Sequence, residues 1–353
     1  MHVYNDQKES KKYKGGTHMK KLVALLLALI MVLSLAAVAS ADEPKGKVML
    51  YSSMQEEQLV AIETAFEAKY PGIDMDHYYN GGGKLVSKMA TEAKDGGQIA
   101  CDVVWLGDPS DYESFKEQGW LEPYVSPETD HIAKAYIDPD GYYTAGRLVT
   151  MGIAWCALDG IGITEEEAPK TWNDLLDPKW QNQLIMTDPA QASTTKYWMA
   201  AMMQSEKYGP DFFQKLRDNG IELESGTTAT HNVVAAGSYQ VGICLDYVSA
   251  NLIAKGSPMA FHYTTEDVIT MTSPIALIKG CANEENGKLL MDFILSKEGQ
   301  EVLVANNLVS VRDDVEMKVD TSAIAAINMP VDYADLGVNL QNYLSEFNKI
   351  FDK

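Results

Sequence analysis

Basic residues are scarce in this chain: 29 Lys and Arg stand against 50 Asp and Glu over 353 residues, a formal net charge of −21. Such a charge repels nucleic acid and anionic lipid at long range, so no nucleic-acid partner is expected. Any anion the chain holds must be gripped by local geometry against the global field. Cysteine is scarcer still. Cys101, Cys156, Cys244 and Cys281 lie in or beside apolar strand-like runs, with none of the short paired spacings of a zinc site. Buried thiols are the plain reading, with one disulfide open in an oxidising compartment and its pairing unreadable from sequence. A phosphate loop is missing too, because Lys84 after Gly81-Gly82-Gly83 has no Ser or Thr behind it. Past residue 41 no apolar run is long enough to span a membrane, and there are no internal repeats or low-complexity tracts.

What is present begins with a leader. Met19-Lys20-Lys21, an apolar stretch at 22–38 and the small residues Ala39-Ser40-Ala41 have the three parts of a signal peptide, a basic start, an apolar middle and a cleavage site. Residues 1–41 are therefore expected to be an N-terminal extension and a cleaved signal peptide. No cysteine stands at the cleavage site for a lipid, so a soluble, exported, periplasmic product is expected. Without that segment 23 basic residues face 48 acidic ones, a net charge of about −25.

The mature chain alternates strand and helix. An apolar strand at 48–51 runs directly into Ser52-Ser53 and an amphipathic helix at 55–70; a strand at 73–79 reaches Gly81-Gly82-Gly83 and a helix at 84–94; a strand at 101–106 reaches Asp108 and a third helix. This order argues for a mostly parallel sheet flanked by helices, and such sheets bind ligands outside the carboxyl ends of their strands. Ser52, Ser53, Gly82, Gly83 and Asp108 fall at that edge. A second alternating region starts with a strand at 149–158, includes helices from Ser193, Asp211 and His231 and a strand at 240–245, and a second extended crossing follows at 269–278. The expected fold class is α/β, two lobes joined by two crossing segments: 42–148 with 269–353 as lobe 1, and 149–268 as lobe 2.

The segments TWNDLLDPKWQNQLIMTDPAQASTT, GSYQVGICLDYVSANLIAKGSP, SPIALIKGCANEENGKLLMDFILSKEGQEVL and NLVSVRDDV resemble bacterial extracellular solute-binding proteins of ABC importers, in the ferric-iron, phosphonate and hexose-phosphate branch. The resemblance runs over nearly the whole mature chain. It implies the two-lobe type II periplasmic-binding-protein fold, a small-molecule ligand captured in the interlobe cleft, and delivery to a membrane permease with its ATPase, by a monomer without cofactor, metal or catalysis. On the same pattern, Ser193, Thr194 and Thr195 open a second-lobe helix facing Ser52 and Ser53, so that two helix N-termini would clasp a phosphate or carboxylate. Asp246 would hold hydroxyls or an amine at the other end, Tyr247 matches one of the family's paired tyrosines, and His231 would assist with a hydroxyl or phosphate.

Plain N-caps compete with the ligand role for Ser52, Ser53 and 193–195, a turn competes for the glycines and Asp108, and a capping or surface role competes for His231. Ferric iron is the first alternative cargo. Against it, Asp246 stands where iron binders have a tyrosine, Ser52-Ser53-Met54-Gln55 lacks their histidine, and the Arg-x-Arg pattern is reduced to Arg147-Leu148-Val149, although Tyr78-Tyr79 and Tyr142-Tyr143 offer other phenols. A cysteine-dependent enzyme on the same fold is the second alternative, with His231 the only plausible base for Cys244.

Overall fold

The computed structural model describes residues 43–353; the leader and its cleavage site lie outside the described residues. Three parallel strands open the fold: β1 (Gly46–Ser52), β2 (Ile73–Tyr79) and β3 (Val103–Trp105), with β1 between the other two. They are joined by helices α1 (Glu56–Lys69) and α2 (Gly82–Glu92), and α3 (Ser110–Glu117) follows β3. The central strand is buried along its second half, as strands covered on both faces are. The pairing Ser52↔Tyr79 and Ser52↔Trp105 brings all three carboxyl ends to one level.

After the two-residue strand β4 (Leu121–Glu122) the chain crosses on β5 (Thr144–Cys156). The second parallel group follows: β6 (Leu184–Thr187), β7 (Glu222–Glu224) and β8 (Val241–Leu245), with helices α4 (Ser193–Gln204), α5 (Gly209–Asp218), α6 (Thr227–Ala235) and α7 (Asp246–Ala254). From β9 (Met259–His262) the chain crosses back on β10 (Ile269–Ile278) into α8 (Glu284–Leu295), α9 (Lys297–Ala305), α10 (Thr321–Ala326) and α11 (Tyr333–Ile350). One path of paired strands results, β2-β1-β3-β10-β5-β8-β6-β7, with β4 on β10 and β9 on β5. Every antiparallel pairing involves β5 or β10; within each flanking group the strands run parallel. The register of β10 on β5 shifts between Ser273 and Pro274, where a residue without N–H interrupts the ladder.

The elements read from the sequence occur in the expected order; the differences lie at starting points and in short elements not read, β4, β7, α7 and α10. β5 begins at Thr144, five residues before the expected 149, so Arg147 belongs to the strand. Its opening residues hide that role: Gly146 has no side chain because a Cβ there would lie 2.8 Å from the Trp105 ring. α6 begins at Thr227 rather than near His231, because Thr230 donates to the Gly226 carbonyl (3.1 Å) and His231 Nδ1 sits 2.7 Å from the Thr227 carbonyl. Short β7, two of whose three residues are Glu, gives no apolar signal of its own.

The two groups have separate aromatic centres. Phe66 meets Phe293 edge-on at 5.6 Å in the first, and Trp198 meets Trp172 at 5.2 Å and Phe213 at 5.8 Å in the second. α11 packs against α3, α4 and α5, with Phe347 on Phe213. All four thiols are free and buried, and burial pushes those of Cys101 and Cys244 well above the usual thiol range. Dithiothreitol is therefore expected to leave the melting temperature unchanged, with the cysteines reacting with a thiol reagent only after denaturation. A lower melting temperature in reductant would reveal a disulfide in the native protein.

Candidate functional site

Between the carboxyl ends of the two strand groups lies a cavity of about 230 Å³. From the first group come Ser53 and Gln55 after β1, and Tyr79, Asn80, Gly81, Gly82 and Lys84 after β2. From the second come Gln191 to Thr194 before and into α4, Ser225 to Thr227 at the start of α6, and Leu245 and Tyr247 at the start of α7. Arg147 enters from β5.

Five helices thus begin at the cavity, with N-caps Gln55, Gly81, Ala192, Gly226 and Leu245. In none of them does the capping side chain accept a first-turn N–H. By contrast Ser296 and Asp320 cap α9 and α10 in this way, away from the cavity. Such an N-terminus keeps its first-turn amides for water or ligand, and its dipole favours an anion by about 0.3–1 kcal/mol; α7 is the exception, since the Asp246 side chain accepts the Tyr247 N–H.

The two sides approach closely. A Cβ at Gly82 would lie 1.6 Å from Ser193 Oγ, so any larger residue would drive the 190–193 segment away. Gly81 and Gly83 face the Gln191 and Ala190 carbonyls in the same manner. The three glycines serve close approach across the cavity.

Arg147 is 1 % exposed. Its Nε donates to Ser273 Oγ at 3.3 Å, and its guanidinium stands 4.8 Å from the Tyr247 ring centroid and 5.7 Å from that of Trp105. Nη1 is buried and has no hydrogen-bond partner among the described residues. Burial raises the Tyr247 phenol and Arg147 opposes that shift. Among the described residues no carboxylate and no histidine lines the cavity, while Arg147 and Lys84 both do. A buried cation with an unused donor beside helix N-termini is a setting for an anion.

Of the residues singled out from sequence, Ser53, Gly82, Ser193, Thr194 and Tyr247 line the cavity; Ser52, Gly83, Asp108, Thr195, His231 and Asp246 do not. Ser52 donates to the Trp105 carbonyl (2.9 Å) and accepts from Met54 N–H (3.1 Å), tying β1 to β3. Asp108 and Asp111 hold the buried Lys196 of α4 at 3.1 and 2.6 Å. Burial, and then the Asp108 charge against the pull of Lys196, push Asp111 up to about 6. His231 accepts from Leu245 N–H at Nε2 (3.0 Å), leaving Nδ1–H for the Thr227 carbonyl; burial holds its pKa below the usual range. Asp246 points into a different cavity, beside Phe261 and Tyr263, and accepts from Tyr247 N–H (2.7 Å) and Thr150 N–H (3.2 Å).

Sequence reasoning passed over Arg147 as a ligand group, along with Gln55, Asn80, Gln191 and 225–227. An arginine inside an otherwise apolar strand was the available signal, since a charge is costly to bury without purpose. For the iron alternative, Tyr79 and Tyr247 are the two phenols at the cavity. Tyr78 is exposed, and Tyr142 and Tyr143 face Lys116 and Glu113.

Burial pushes Asp246 up to about 7 against the opposing backbone N–H groups and Arg147. A carboxyl raised in the folded state stabilises fully below its unfolded value near 4 and loses that contribution as pH rises through 7. Relative to Asp246→Asn, the wild-type protein is expected to lose up to roughly 4 kcal/mol of unfolding free energy between pH 4 and pH 8. Parallel urea titrations check this, and parallel pH profiles of the two proteins would refute it.

The chain is 26% identical over 346 residues, 92% of its length and 97% of the other, to a Salmonella typhimurium protein named as a candidate 2-aminoethylphosphonate-binding periplasmic protein. Its fold matches that of the periplasmic binding protein AfuA from Actinobacillus pleuropneumoniae, solved with fructose-6-phosphate bound, with TM-score 0.78 and 24% identity over 88% of this chain and 99% of that one. It also matches a ferric binding protein from Campylobacter jejuni, with TM-score 0.70 and 19% identity over 86% and 99%. These neighbours share the two-lobe, type II periplasmic-binding-protein fold. Residues 101–335 match the profile of the bacterial extracellular solute-binding proteins, and the chain belongs to that family.

Proposed function

We propose that this protein is the periplasmic solute-binding component of an ABC importer whose ligand is a small organic molecule with a phosphate or phosphonate head. The observation that carries the reading is the Arg147 guanidinium, buried with Nη1 unpartnered among the described residues, in a cavity that four helix N-termini with no side-chain acceptor enter and that no carboxylate of the described residues lines. A phosphoryl group has the charge and the several acceptor oxygens that such donors need, and Arg matches it with a two-pronged fork. The volume of about 230 Å³ lies below the roughly 300–1,000 Å³ common for drug-sized ligands, which suits a small metabolite. The named ligands of the Salmonella relative and of the Actinobacillus neighbour both carry phosphorus, the first as an amine-bearing phosphonate and the second as a hydroxylated phosphate, so they agree on the head group and differ in the body.

In this reading the lobes divide at 148/149 and 268/269 on the crossing strands, and ligand release opens the Gly81–Gly83 contact with 190–193, a hinge motion. The protein acts as a monomer and hands its ligand to a membrane permease with its ATPase.

Fructose 6-phosphate or a simple phosphonate should raise the melting temperature by mass action. Arg147→Gln is expected to abolish the rise while leaving the protein folded without ligand, because it removes the guanidinium whose buried Nη1 has no hydrogen-bond partner among the described residues. Arg147→Lys, which keeps the charge and loses the fork, should weaken binding roughly 10–100-fold. An undiminished ligand response in Arg147→Gln would refute the reading. Stabilisation by ferric salt alone, with a visible tyrosinate-to-metal band, would replace it with iron.

A further inference from the structure

We infer that the cavity selects phosphoryl ligands whose remaining body is neutral and hydroxylated, and discriminates against those bearing an ammonium group. This inference rests on the phosphoryl reading above and adds the nature of the rest of the ligand. Beyond the two cations, the polar side chains at the cavity are neutral: Ser53, Gln55, Asn80, Gln191, Ser225 and Thr227. Amides and hydroxyls of this kind both donate and accept, which is the complement of a set of ligand hydroxyls.

An ammonium has only donors and needs a carboxylate or several free acceptors when desolvated. The acids flanking the lining residues in sequence do not themselves line the cavity. Glu56, next to Gln55, pairs with His77 Nε2 at 3.2 Å. Glu224, next to Ser225, accepts both the Ser225 N–H (2.7 Å) and its hydroxyl (3.0 Å). Asp246, between Leu245 and Tyr247, is buried on backbone N–H groups and faces the other cavity. Beyond the acids, the N-termini of four helices with no side-chain acceptor on their first-turn amides present positive dipole ends, and Arg147 and Lys84 add full charges. A second cation, on the ligand, therefore meets two cations and no carboxylate among the described lining residues.

The test uses a pair of ligands differing in one group, glucose 6-phosphate and glucosamine 6-phosphate, with inorganic phosphate as the head group alone, titrated calorimetrically at pH 7. The hydroxyl sugar is expected to bind at least roughly tenfold tighter than the amino sugar. In Gln191→Glu, which places a carboxylate at the cavity, that gap should narrow or invert. Equal or tighter binding of the amino sugar to the wild-type protein would overturn the inference while leaving the phosphoryl reading intact. A gap unchanged in Gln191→Glu would overturn its electrostatic cause. Failure of both sugars and of phosphate to bind would overturn the phosphoryl reading and this inference with it.

Discussion

The antiparallel pairing of β5 with β10 is the constraint on which the remaining architecture depends. Each flanking group of strands is parallel and could be drawn as a small α/β unit of its own; only the two long crossing strands make them neighbours. Their register places Ser273 opposite Arg147, which is why the guanidinium finds a hydroxyl for Nε. The same pairing sets Gly146 against Trp105 and so leaves the indole room to lie near the arginine. Move the register by one residue and Arg147 would face the opposite side of the strand pair, where Leu148 and Thr150 now line a separate cavity.

In the proposed reading, that placement lets an acidic protein hold an anion. At long range the chain repels one, since its net charge is −21. At short range the low-dielectric cavity exposes only cations, neutral polar groups and helix N-termini, and interactions there are screened far less than at the surface. No acid among the described residues lines the cavity, which keeps the local sign positive. Lys196 shows the same economy in reverse. It sits one turn into α4, yet Asp108 and Asp111 from the other strand group neutralise it, so its charge ties the two sides together behind the cavity.

Much of the fold was legible because period-2 and period-3.6 patterns report local burial. β2 at 73–79 and β10 at 269–278 were read with their observed limits, and most helices within a few residues. The site was legible only as a level in the fold, the carboxyl ends of the strands. Which side chains turn into the cavity was decided between neighbours: Ser53 but not Ser52, Tyr247 but not Asp246, Thr194 but not Thr195. Sequence periodicity becomes uninformative at a strand-to-helix junction, where the period itself changes.

By itself, then, the sequence determined the alternation of strands and helices, the two crossings, the family and the anion-friendly edge, since each follows from short-range patterning or from a combination of segments specific to the family. The tertiary structure alone decided the chemistry of the cavity. Arg147 stands buried at the cavity only when β10 and Tyr247 pack around it, Ser52 is withdrawn only when β3 offers the Trp105 carbonyl, and the three glycines acquire their role only when 190–193 comes within contact. These are contacts between residues tens to more than a hundred positions apart, and local sequence carries no term for them.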